Sequence, residues 1–233
     1  MKLNKLLLLL PFLAIMVTAC DIDQTGLTDE EVVAGLKEAL QVGTDTSTSR
    51  LSAQDGFFAN AKVKIPFPEN VQYVADAVSN FHLLGQPVGQ TAVDAFVLKL
   101  NRAAEGAADK AKPIFIDAIT AMTIEDGMGI LLGTDDAATL YLKDHTYDNL
   151  KTSFQPDIQQ SLDQVGAQNA WNTVSGYYNV ISSDTVNTDL ADHTTRKALD
   201  GFFKLIAEEE LKIRTDVSAR ITDLLVKVFA EQD

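Results

Sequence analysis

Three polar side chains, Asn101, Arg102 and Glu105, interrupt a stretch of the chain made otherwise of Leu, Ala and Gly. Arg102 and Glu105 are three residues apart, so on a helix they share one face and can form an ion pair. Such a triplet beside small residues could line a polar pocket or bind an anion. A salt bridge explains the same spacing, and we favour it because ion pairs of this kind are common in structural roles. The three residues are candidate ligand or interaction residues.

A second charged group near the C-terminus consists of Glu210, Arg214 and Arg220. Glu210 and Arg214 have the i, i+4 spacing of a helical ion pair, and Glu210 falls on the apolar stripe of its predicted helix. A carboxylate on that stripe must be paired or line a cavity, because an unpaired buried charge is costly. Arg220 begins the next element and could complete the network. We favour structural pairing over acid–base work, and treat all three as candidate interaction residues.

Sequence motifs for catalysis, metal binding and cofactor binding are absent. The three histidines, His82, His145 and His193, have no metal-ligand spacing, and there is no HExxH, GxSxG, GxxxxGK[ST] or EF-hand pattern. A single Cys excludes an intramolecular disulfide and a Cys-based zinc site. The sequence therefore predicts no catalytic residue, no metal and no cofactor.

The charge balance argues against one class of partner. Lys and Arg number 19 against 33 Asp and Glu, which gives a net charge of −14. Nucleic-acid binding depends on Lys and Arg that neutralise phosphates, so we expect no nucleic-acid partner. Hydrophobic residues make up 46% of the chain, which is enough for a folded core.

Cys20 is the only Cys of the chain, and the residues before it are typical of an exported lipoprotein. A positively charged start is followed by an apolar stretch shorter than the roughly 20 residues that span a bilayer, as in a cleaved signal peptide. Val17-Thr18-Ala19-Cys20 resembles the lipobox of bacterial lipoproteins, in which the Cys thiol receives a diacylglyceryl group. We therefore predict a signal peptide over residues 1–19, lipid attachment at Cys20 and a short tether over residues 20–27.

These features predict a location in the bacterial cell envelope, at a membrane and facing the periplasm. Removal of residues 1–19 takes away two Lys and no acid, so the mature chain would carry 17 basic and 33 acidic residues, a net charge of −16. Anionic headgroups repel such a domain, so the N-terminal lipid rather than a basic patch must hold it at the membrane. Asp21 resembles an inner-membrane retention signal of enteric bacteria, a rule that does not extend to all bacteria. The choice between inner and outer membrane therefore stays open.

The elements that must position these residues are predicted to be helices. A capping box begins at Thr28, and apolar residues then recur at helical spacing through most of the chain. Residues 62–65 are the only plausible short strand, and Pro113 and Pro156 are expected to begin new helices. The sequence therefore predicts a single all-α, multi-helix domain over residues 28–233, with little or no β-structure.

A series of short segments runs in order along the chain: Asp55-Gly-Phe-Phe58, Lys64-Ile-Pro-Phe-Pro68, Leu100-Asn-Arg-Ala-Ala-Glu105, Phe115-Ile-Asp-Ala-Ile119, Gly133 with Ala137-Ala-Thr139 and Tyr141, Lys197-Ala-Leu-Asp-Gly-Phe202, Ala207-Glu-Glu-Glu210 with Ile213-Arg214, and Arg220 with Thr222-Asp-Leu-Leu225. The series resembles an uncharacterised bacterial envelope family, domain of unknown function 4197. Each segment alone is weak, but their order is specific and they cover nearly all of the mature chain. The resemblance implies a mostly helical envelope protein and brings no activity with it.

The sequence favours a non-enzymatic envelope module that binds an unidentified envelope protein or a small ligand, because the body is helical and carries no catalytic motif. One alternative is an envelope enzyme of the hydrolase type that uses carboxylates near Glu210 together with Arg102. Another is a lipid-binding or transport module, which requires a large apolar cavity between the helices.

Overall fold

The architecture is all-helical across residues 26–184 and 186–232, the part of the chain described by the computed structural model. These residues contain no β-strand, although Leu83 and Gln86 form an isolated bridge. The predicted all-α, multi-helix fold is confirmed, whereas the predicted signal peptide and Cys20 lie outside the described residues. The α-helices are α1 (Asp29–Leu51), α2 (Gln72–Ser79), α3 (Val88–Ala121), α4 (Gly127–Leu131), α5 (Ala137–Val165), α6 (Ala167–Ile181), α7 (Leu190–Thr215) and α8 (Asp223–Phe229).

Helix α1 begins at the predicted capping box. Thr28 Oγ1 accepts a hydrogen bond from Glu31 N, and the Glu31 carboxylate accepts one from Thr28 N, both at 3.2 Å. The two bonds satisfy backbone donors that a helix start leaves without partners, and the acidic first turn complements the helix dipole. The helix then continues through a stretch rich in Ser and Thr as far as Leu51.

The positions of two prolines differ from the prediction that each begins a new helix. Pro113 lies inside α3, and Pro156 lies inside α5. Each proline removes a helical hydrogen bond, at a cost of about 3 kcal/mol in a helix interior. Nearby side chains such as Phe115 and Phe154 are almost fully buried. Each stabilises the fold by roughly 1.5–3 kcal/mol as it leaves water. Core packing therefore carries both helices past their prolines.

The candidate strand over residues 62–65 is also absent, since residues 61–63 form a turn and residues 64–66 have no regular secondary structure. Val63 and Ile65 point inward, which accounts for the alternating pattern in the sequence. Val63 packs against α7 at Gly201, where an added Cβ would lie 3.2 Å from the Val63 side chain. The alternation reflects a loop docked on helices rather than a pair of strands.

The long helices α1, α3, α5 and α7 form the body of the fold. Lys112 of α3 pairs with Asp45 of α1 at 2.9 Å, while Lys37 of α1 donates to the Thr120 carbonyl of α3 at 2.9 Å. Residue numbers rise along one helix as they fall along the other, so α1 and α3 are antiparallel. The start of α1 therefore lies at the C-terminal end of α3.

Aromatic side chains fill the centre of the body. Phe115 of α3 lies 5.3 Å from the ring of Phe202 and 5.4 Å from that of Phe203, both on α7. Phe67, in the loop between α1 and α2, lies 5.2 Å from the ring of Phe96 on α3. This loop, residues 52–68, is therefore part of the core, and we call it the docked loop.

Within the described part of the chain, the helices include none with the length and apolar character required to cross a bilayer.

Candidate binding site

Asn101 lies on the buried face of α3 and holds the docked loop. Its side-chain oxygen accepts a hydrogen bond from Ile65 N at 2.9 Å, and its amide donates to Ile65 O and Val97 O at 2.8 Å each. These bonds supply the partners that the backbone of Ile65 would otherwise lack inside the protein. Both donor hydrogens of Asn101 are therefore engaged within the fold.

Glu105, one turn further along α3, binds the start of the docked loop. Its Oε1 accepts hydrogen bonds from Phe57 N at 3.2 Å and Phe58 N at 3.0 Å. Its Oε2 accepts one from Arg102, which confirms the ion pair that the spacing predicted. Arg102 also donates to Asp55 at 2.7 Å and lies over the Phe58 ring. The α3 triplet therefore acts as a clamp on the loop.

The backbone of the docked loop is shaped to meet this clamp. Asp55 adopts a φ of 66°, in the left-handed region. A Cβ atom at Gly56 would lie 2.3 Å from the Arg50 carbonyl oxygen, so the turn requires glycine there. The Asp55-Gly56 pair follows the end of α1 at Leu51 and turns the chain toward Glu105.

Glu210 lies on α7 with no exposed surface. Its carboxylate accepts hydrogen bonds from Ala138 N at 3.0 Å, Thr139 N at 2.8 Å and the Thr139 hydroxyl at 2.6 Å. Arg214 adds two more, at 3.0 Å and 2.8 Å, which confirms the predicted ion pair. The carboxylate binds the first turn of α5, where the helix dipole favours a negative charge.

The two arginines of this cluster bind carbonyl groups at helix ends. Arg214 donates to Leu131 O at 2.6 Å and to Ile130 O at 3.1 Å, in the last turn of α4. Arg220 donates to Ile213 O at 2.8 Å and to Arg214 O at 3.0 Å, at the end of α7. Helix ends leave such carbonyls without helical partners, and the two guanidinium groups satisfy them. Arg220 thus joins the network through the backbone.

The six polar candidates form two separate internal clusters and no common site. One cluster joins α3 to the docked loop, and the other joins α7 to α4 and α5. The Arg102–Glu105 and Glu210–Arg214 pairs are present, and their further bonds go mainly to helix ends and loop backbone. The position of these residues is that of structural supports.

An open groove of about 710 Å³ lies between the C-terminal half of α3 and the N-terminal half of α5. Its volume falls in the range of roughly 300–1,000 Å³ that is typical of small-molecule sites. Ile114, Ala118 and Leu150 supply apolar surface, while Asp117 and Asn149 supply polar groups. We call this feature the α3/α5 groove, and it is the candidate binding site.

Tyr141 and His145, one turn apart on α5, form an aromatic wall of the groove. Their rings stack with centroids 4.0 Å apart. The Tyr141 hydroxyl donates to Thr123 O at 2.7 Å, and His145 Nδ1 lies 2.8 Å from Tyr141 O. Because that partner is a carbonyl, Nδ1 carries the proton of the neutral ring and Nε2 is an acceptor. The wall combines a flat apolar surface with a hydrogen-bonding group.

His193 is a buried titratable group at the start of α7. It is 4% exposed, and its Nε2 lies 3.0 Å from Pro66 O in the docked loop. Burial lowers the pKa of His193 below its ordinary value, and the hydrogen bond to Pro66 opposes this effect. The neutral ring with Nε2 protonated therefore fits the site and ties the docked loop to α7.

The described part of the chain contains no cluster of side chains suited to bind a metal ion. Across residues 26–184 and 186–232, His, Cys, Asp and Glu side chains form no group of three or more that could hold an ion.

Comparison with known proteins supplies the family. Residues 26–230 match a family described as a protein of unknown function, DUF4197. The chain belongs to the DUF4197 family. The match spans the eight α-helices of residues 26–184 and 186–232, so the DUF4197 region and the described helical body coincide. No curated protein and no solved structure matches the chain.

The segments that resemble DUF4197 meet in space. The Asp55–Phe58 and Lys64–Pro68 segments bind the Leu100–Glu105 segment through the clamp on the docked loop. The Ala207–Glu210 segment binds the Ala137–Thr139 segment through Glu210. These contacts join segments that are distant in sequence, so they contribute to the assembly of the fold.

Sequence reasoning missed the α3/α5 groove. Its aromatic wall includes Tyr141, for which no role was predicted, and its opening depends on small side chains such as Ala118 and Ala121 facing α5. Small residues one turn apart on a long helix are a weak signal, because they occur equally at close helix contacts. The groove depends on the space between α3 and α5, which are distant in sequence, so no local sequence pattern predicts it.

Proposed function

We propose that this chain is a lipid-anchored, non-enzymatic binding module of the bacterial envelope, with its helical body facing the periplasm. The lipobox at Cys20 supports the anchor, and the α3/α5 groove supports binding of a small ligand. The non-enzymatic part of the proposal rests on the hydrogen bonds that occupy the Glu210 carboxylate. That carboxylate accepts five hydrogen bonds in a fully buried position, so it has no capacity left for acid–base chemistry.

The groove favours a ligand with an apolar body and a polar or cationic head. Ile114, Met122 and Leu150 offer apolar contact, whereas Asp117 and Glu125 carry negative charge at neutral pH. Charged side chains in the lining disfavour a bare acyl chain, because covering them without a partner is costly. A small amphipathic molecule therefore fits the groove better than an acyl chain does, which favours ligand binding over the lipid-transport alternative.

The ligand proposal is tested with N-phenyl-1-naphthylamine, a neutral fluorophore whose emission rises in apolar sites. We expect emission to rise with the wild-type full chain and to fall with Ala121→Trp, which fills the groove from an exposed position on α3. The matched control, Ala34→Trp, adds the same ring at an exposed position on α1 outside the groove. Equal emission from both variants would remove the groove as the binding site.

The anchor is tested separately in cells that produce the full chain. We expect Cys20→Ala to leave an unprocessed precursor without lipid label, because the thiol is the attachment point. Cys20→Ser is a matched control for side-chain size, and it should behave as Cys20→Ala does. Processing and lipid labelling of Cys20→Ala at the wild-type level would show that the anchor assignment is wrong.

The enzyme alternative has its own test. A hydrolase that uses Glu210 or Arg102 would lose turnover when either side chain is neutralised while the fold is retained. Activity screening of the wild-type chain that detects turnover abolished by Glu210→Gln in folded protein would replace the proposal of a binding module.

A further inference from the structure

Large apolar side chains are exposed together where α2, the 80–87 turn and the last turn of α6 meet. Leu84 is 96% exposed, Leu83 53%, Tyr73 52%, Val180 70% and Ile181 52%. We call these five residues the apolar tip. Contiguous exposed apolar surface is uncommon on monomeric proteins and marks interaction sites.

Ring contacts bring the parts of the tip together. Tyr73 of α2 lies 5.9 Å from Tyr178 of α6, and Phe81 stacks on Tyr177 of α6 at 5.1 Å. The exposed residues at the end of α6 follow Tyr177 by one turn. The exposed side chains of α2, the turn and α6 therefore form one surface.

The turn that carries Leu84 is closed by two backbone hydrogen bonds. Leu83 N donates to Gln86 O at 3.0 Å and Gln86 N donates to Leu83 O at 2.9 Å, which closes a two-residue turn. Leu84 and Gly85 have φ angles of 51° and 81°. Left-handed backbone is unfavourable for leucine and favourable for Asn or Gly, which commonly occupy such turns. The chain thus presents a fully exposed leucine from a position better suited to a polar residue.

A shallow groove of about 410 Å³ adjoins the tip between the start of α3 and α6. Pro87, Val88, Ala92 and Tyr177 are among its lining residues, and the lining contains no charged side chain. Tyr177 belongs both to this lining and to the ring contact with Phe81 of the turn. The tip and the groove together resemble the apolar surfaces that receive a helix or an extended segment of another protein.

The sequence stretches that supply the tip carry acidic side chains and no Lys or Arg. Residues 65–98 and residues 152–195, which supply α2, the turn, the start of α3 and all of α6, contain no Lys or Arg. They contain Glu69, Asp76 and Asp94 in the first stretch and five Asp in the second. Three of these acids, Glu69, Asp157 and Asp192, pair with Lys197, Lys110 and Lys151 from outside the two stretches. Asp76 of α2 and Asp184, just after α6, are exposed on the segments that carry the tip. Carboxylates beside an apolar surface are complementary to a basic segment with an apolar face.

We propose that the apolar tip and its adjoining groove dock a basic, amphipathic segment of a partner protein. This goes beyond the ligand site proposed above, because it concerns a different surface and names the chemistry of a protein partner. A second copy of this chain would bring acidic residues against acidic residues. An anionic bilayer would meet the same repulsion, with no Lys or Arg in the surrounding stretches to offset it.

The position of the tip agrees with a protein partner. The tip lies at the N-terminal end of α3, whereas the start of α1 lies at its C-terminal end. Helix α3 has 34 residues and spans about 51 Å at 1.5 Å per residue. A chain anchored through its N-terminus therefore holds the tip away from the lipid attachment point.

The test measures binding of a fluorescent amphipathic peptide to the purified full chain in the presence of neutral phosphatidylcholine vesicles. The peptide contains Lys, Leu and Ala, is about 16 residues long and places its Leu residues on one helix face. We expect Leu84→Asn and Ile181→Asn each to weaken binding about tenfold, as hot-spot residues do. Asn is a residue type that favours the left-handed backbone of this turn. We therefore expect the Leu84→Asn variant to keep the fold.

The matched control is Leu132→Asn, since Leu132 is 61% exposed at the end of α4, away from the tip. It should change affinity by less than about twofold. A scrambled peptide of identical composition should bind weakly, because net charge alone attracts it without apolar contact. Equal loss with Leu132→Asn, or equal binding of the scrambled peptide, would overturn the proposal.

Two further outcomes would assign the tip to another occupant and so overturn the proposal. One is binding of wild-type chain, but not of Leu84→Asn, to phosphatidylglycerol vesicles without peptide. The other is a dimer in sedimentation that Leu84→Asn dissociates. Neither result depends on the α3/α5 groove or on Cys20, so failure of the tip and failure of the proposed function are told apart.

Discussion

Glu208 and Glu210 lie two residues apart on α7 and have different surroundings. Glu208 pairs at 2.7 Å with Lys62, whose side chain is 60% exposed. Glu210 is fully buried and holds Arg214 and the first turn of α5. Water screens the first pair, whereas removal of one partner from the second leaves a buried charge without compensation. A glutamate side chain therefore contributes little to the stability of the fold at position 208 and much at position 210.

We predict that Glu210→Gln lowers the free energy of unfolding by about 3–5 kcal/mol, because Arg214 would remain charged and buried without its carboxylate. Glu208→Gln should lower it by no more than about 1 kcal/mol. Urea unfolding followed by circular dichroism gives both values. Similar losses from the two variants would contradict a structural role for Glu210.

His193 makes stability depend on pH. Burial lowers its pKa in the folded chain below the unfolded value of 6.5, so the unfolded chain binds the proton more readily. Stability should therefore be full above about pH 6.5 and should decrease as the pH falls from there toward the folded pKa. The positive charges of Arg196 and Lys197 also lower the pKa of His193, and the negative charge of Glu69 raises it. Carboxylates of Asp and Glu ordinarily titrate near pH 4, below this range.

We predict that His193→Gln reduces the loss of stability between pH 7.5 and about pH 5.5, since Gln can donate to Pro66 O without binding a proton. His82→Gln, at an exposed histidine, should keep the wild-type profile. Thermal unfolding at a series of pH values measures both. An unchanged profile in His193→Gln would show that other groups cause the decrease.

Among the elements, the crossing of α1 and α8 depends on the absence of a side chain. A Cβ atom at Gly35 of α1 would lie 2.7 Å from Val228 of α8, closer than side chains approach one another. Gly lowers the stability of a helix interior by roughly 0.5–1 kcal/mol relative to Ala. The close contact offsets this, and it allows the short α8 to pack on a helix distant in sequence.

We predict that Gly35→Ala destabilises the fold by about 1–3 kcal/mol through overpacking, in spite of the better helix propensity of Ala. The double variant Gly35→Ala, Val228→Ala should recover part of the loss, because the shorter side chain gives the new Cβ room. Val228→Ala alone is the necessary control, since it creates a cavity. Additive losses in the double variant would show that the two residues do not interact.

On the scale of the whole molecule, positive and negative charges are unevenly distributed. The chain has a net charge of −14, yet residues 65–98 and 152–195 contain acids and no Lys or Arg. Self-repulsion of this kind weakens the compact state, and it acts over the Debye length of about 10 Å at 0.1 M salt. Asp76 and Asp184 are exposed acids on the segments that carry the apolar tip.

We predict that stability rises as NaCl is increased from about 10 to 300 mM, because screening relieves repulsion among the surface acids. The double variant Asp76→Asn, Asp184→Asn removes two exposed acids from the sequence stretches that lack Lys and Arg, and its salt dependence should be smaller. Urea unfolding at fixed pH measures the effect. Stability that falls with salt would indicate that surface ion pairs outweigh the repulsion.

Local patterns predicted a large part of the fold. The Thr28 capping box, the helical stripes and the pairs of Arg102 with Glu105 and Arg214 with Glu210 depend on residues within one or two turns, so spacing alone identifies them. The prolines in α3 and α5 were misread because a proline's local signal favours a helix start. The inward alternation at Val63 and Ile65 is ambiguous in the sequence, because a docked loop and a strand bury side chains alike.

The sequence by itself determined the class of fold, the charge, the family resemblance and the pairing of neighbouring charges. Only the tertiary structure decided that Asn101, Glu105 and Glu210 serve backbone groups distant in sequence, because their partners come together only when the helices pack. The α3/α5 groove and the apolar tip belong to the same category, since each is formed by elements that meet in space. Burial and exposure are properties of the assembled chain, and they separate its supports from its candidate binding surfaces.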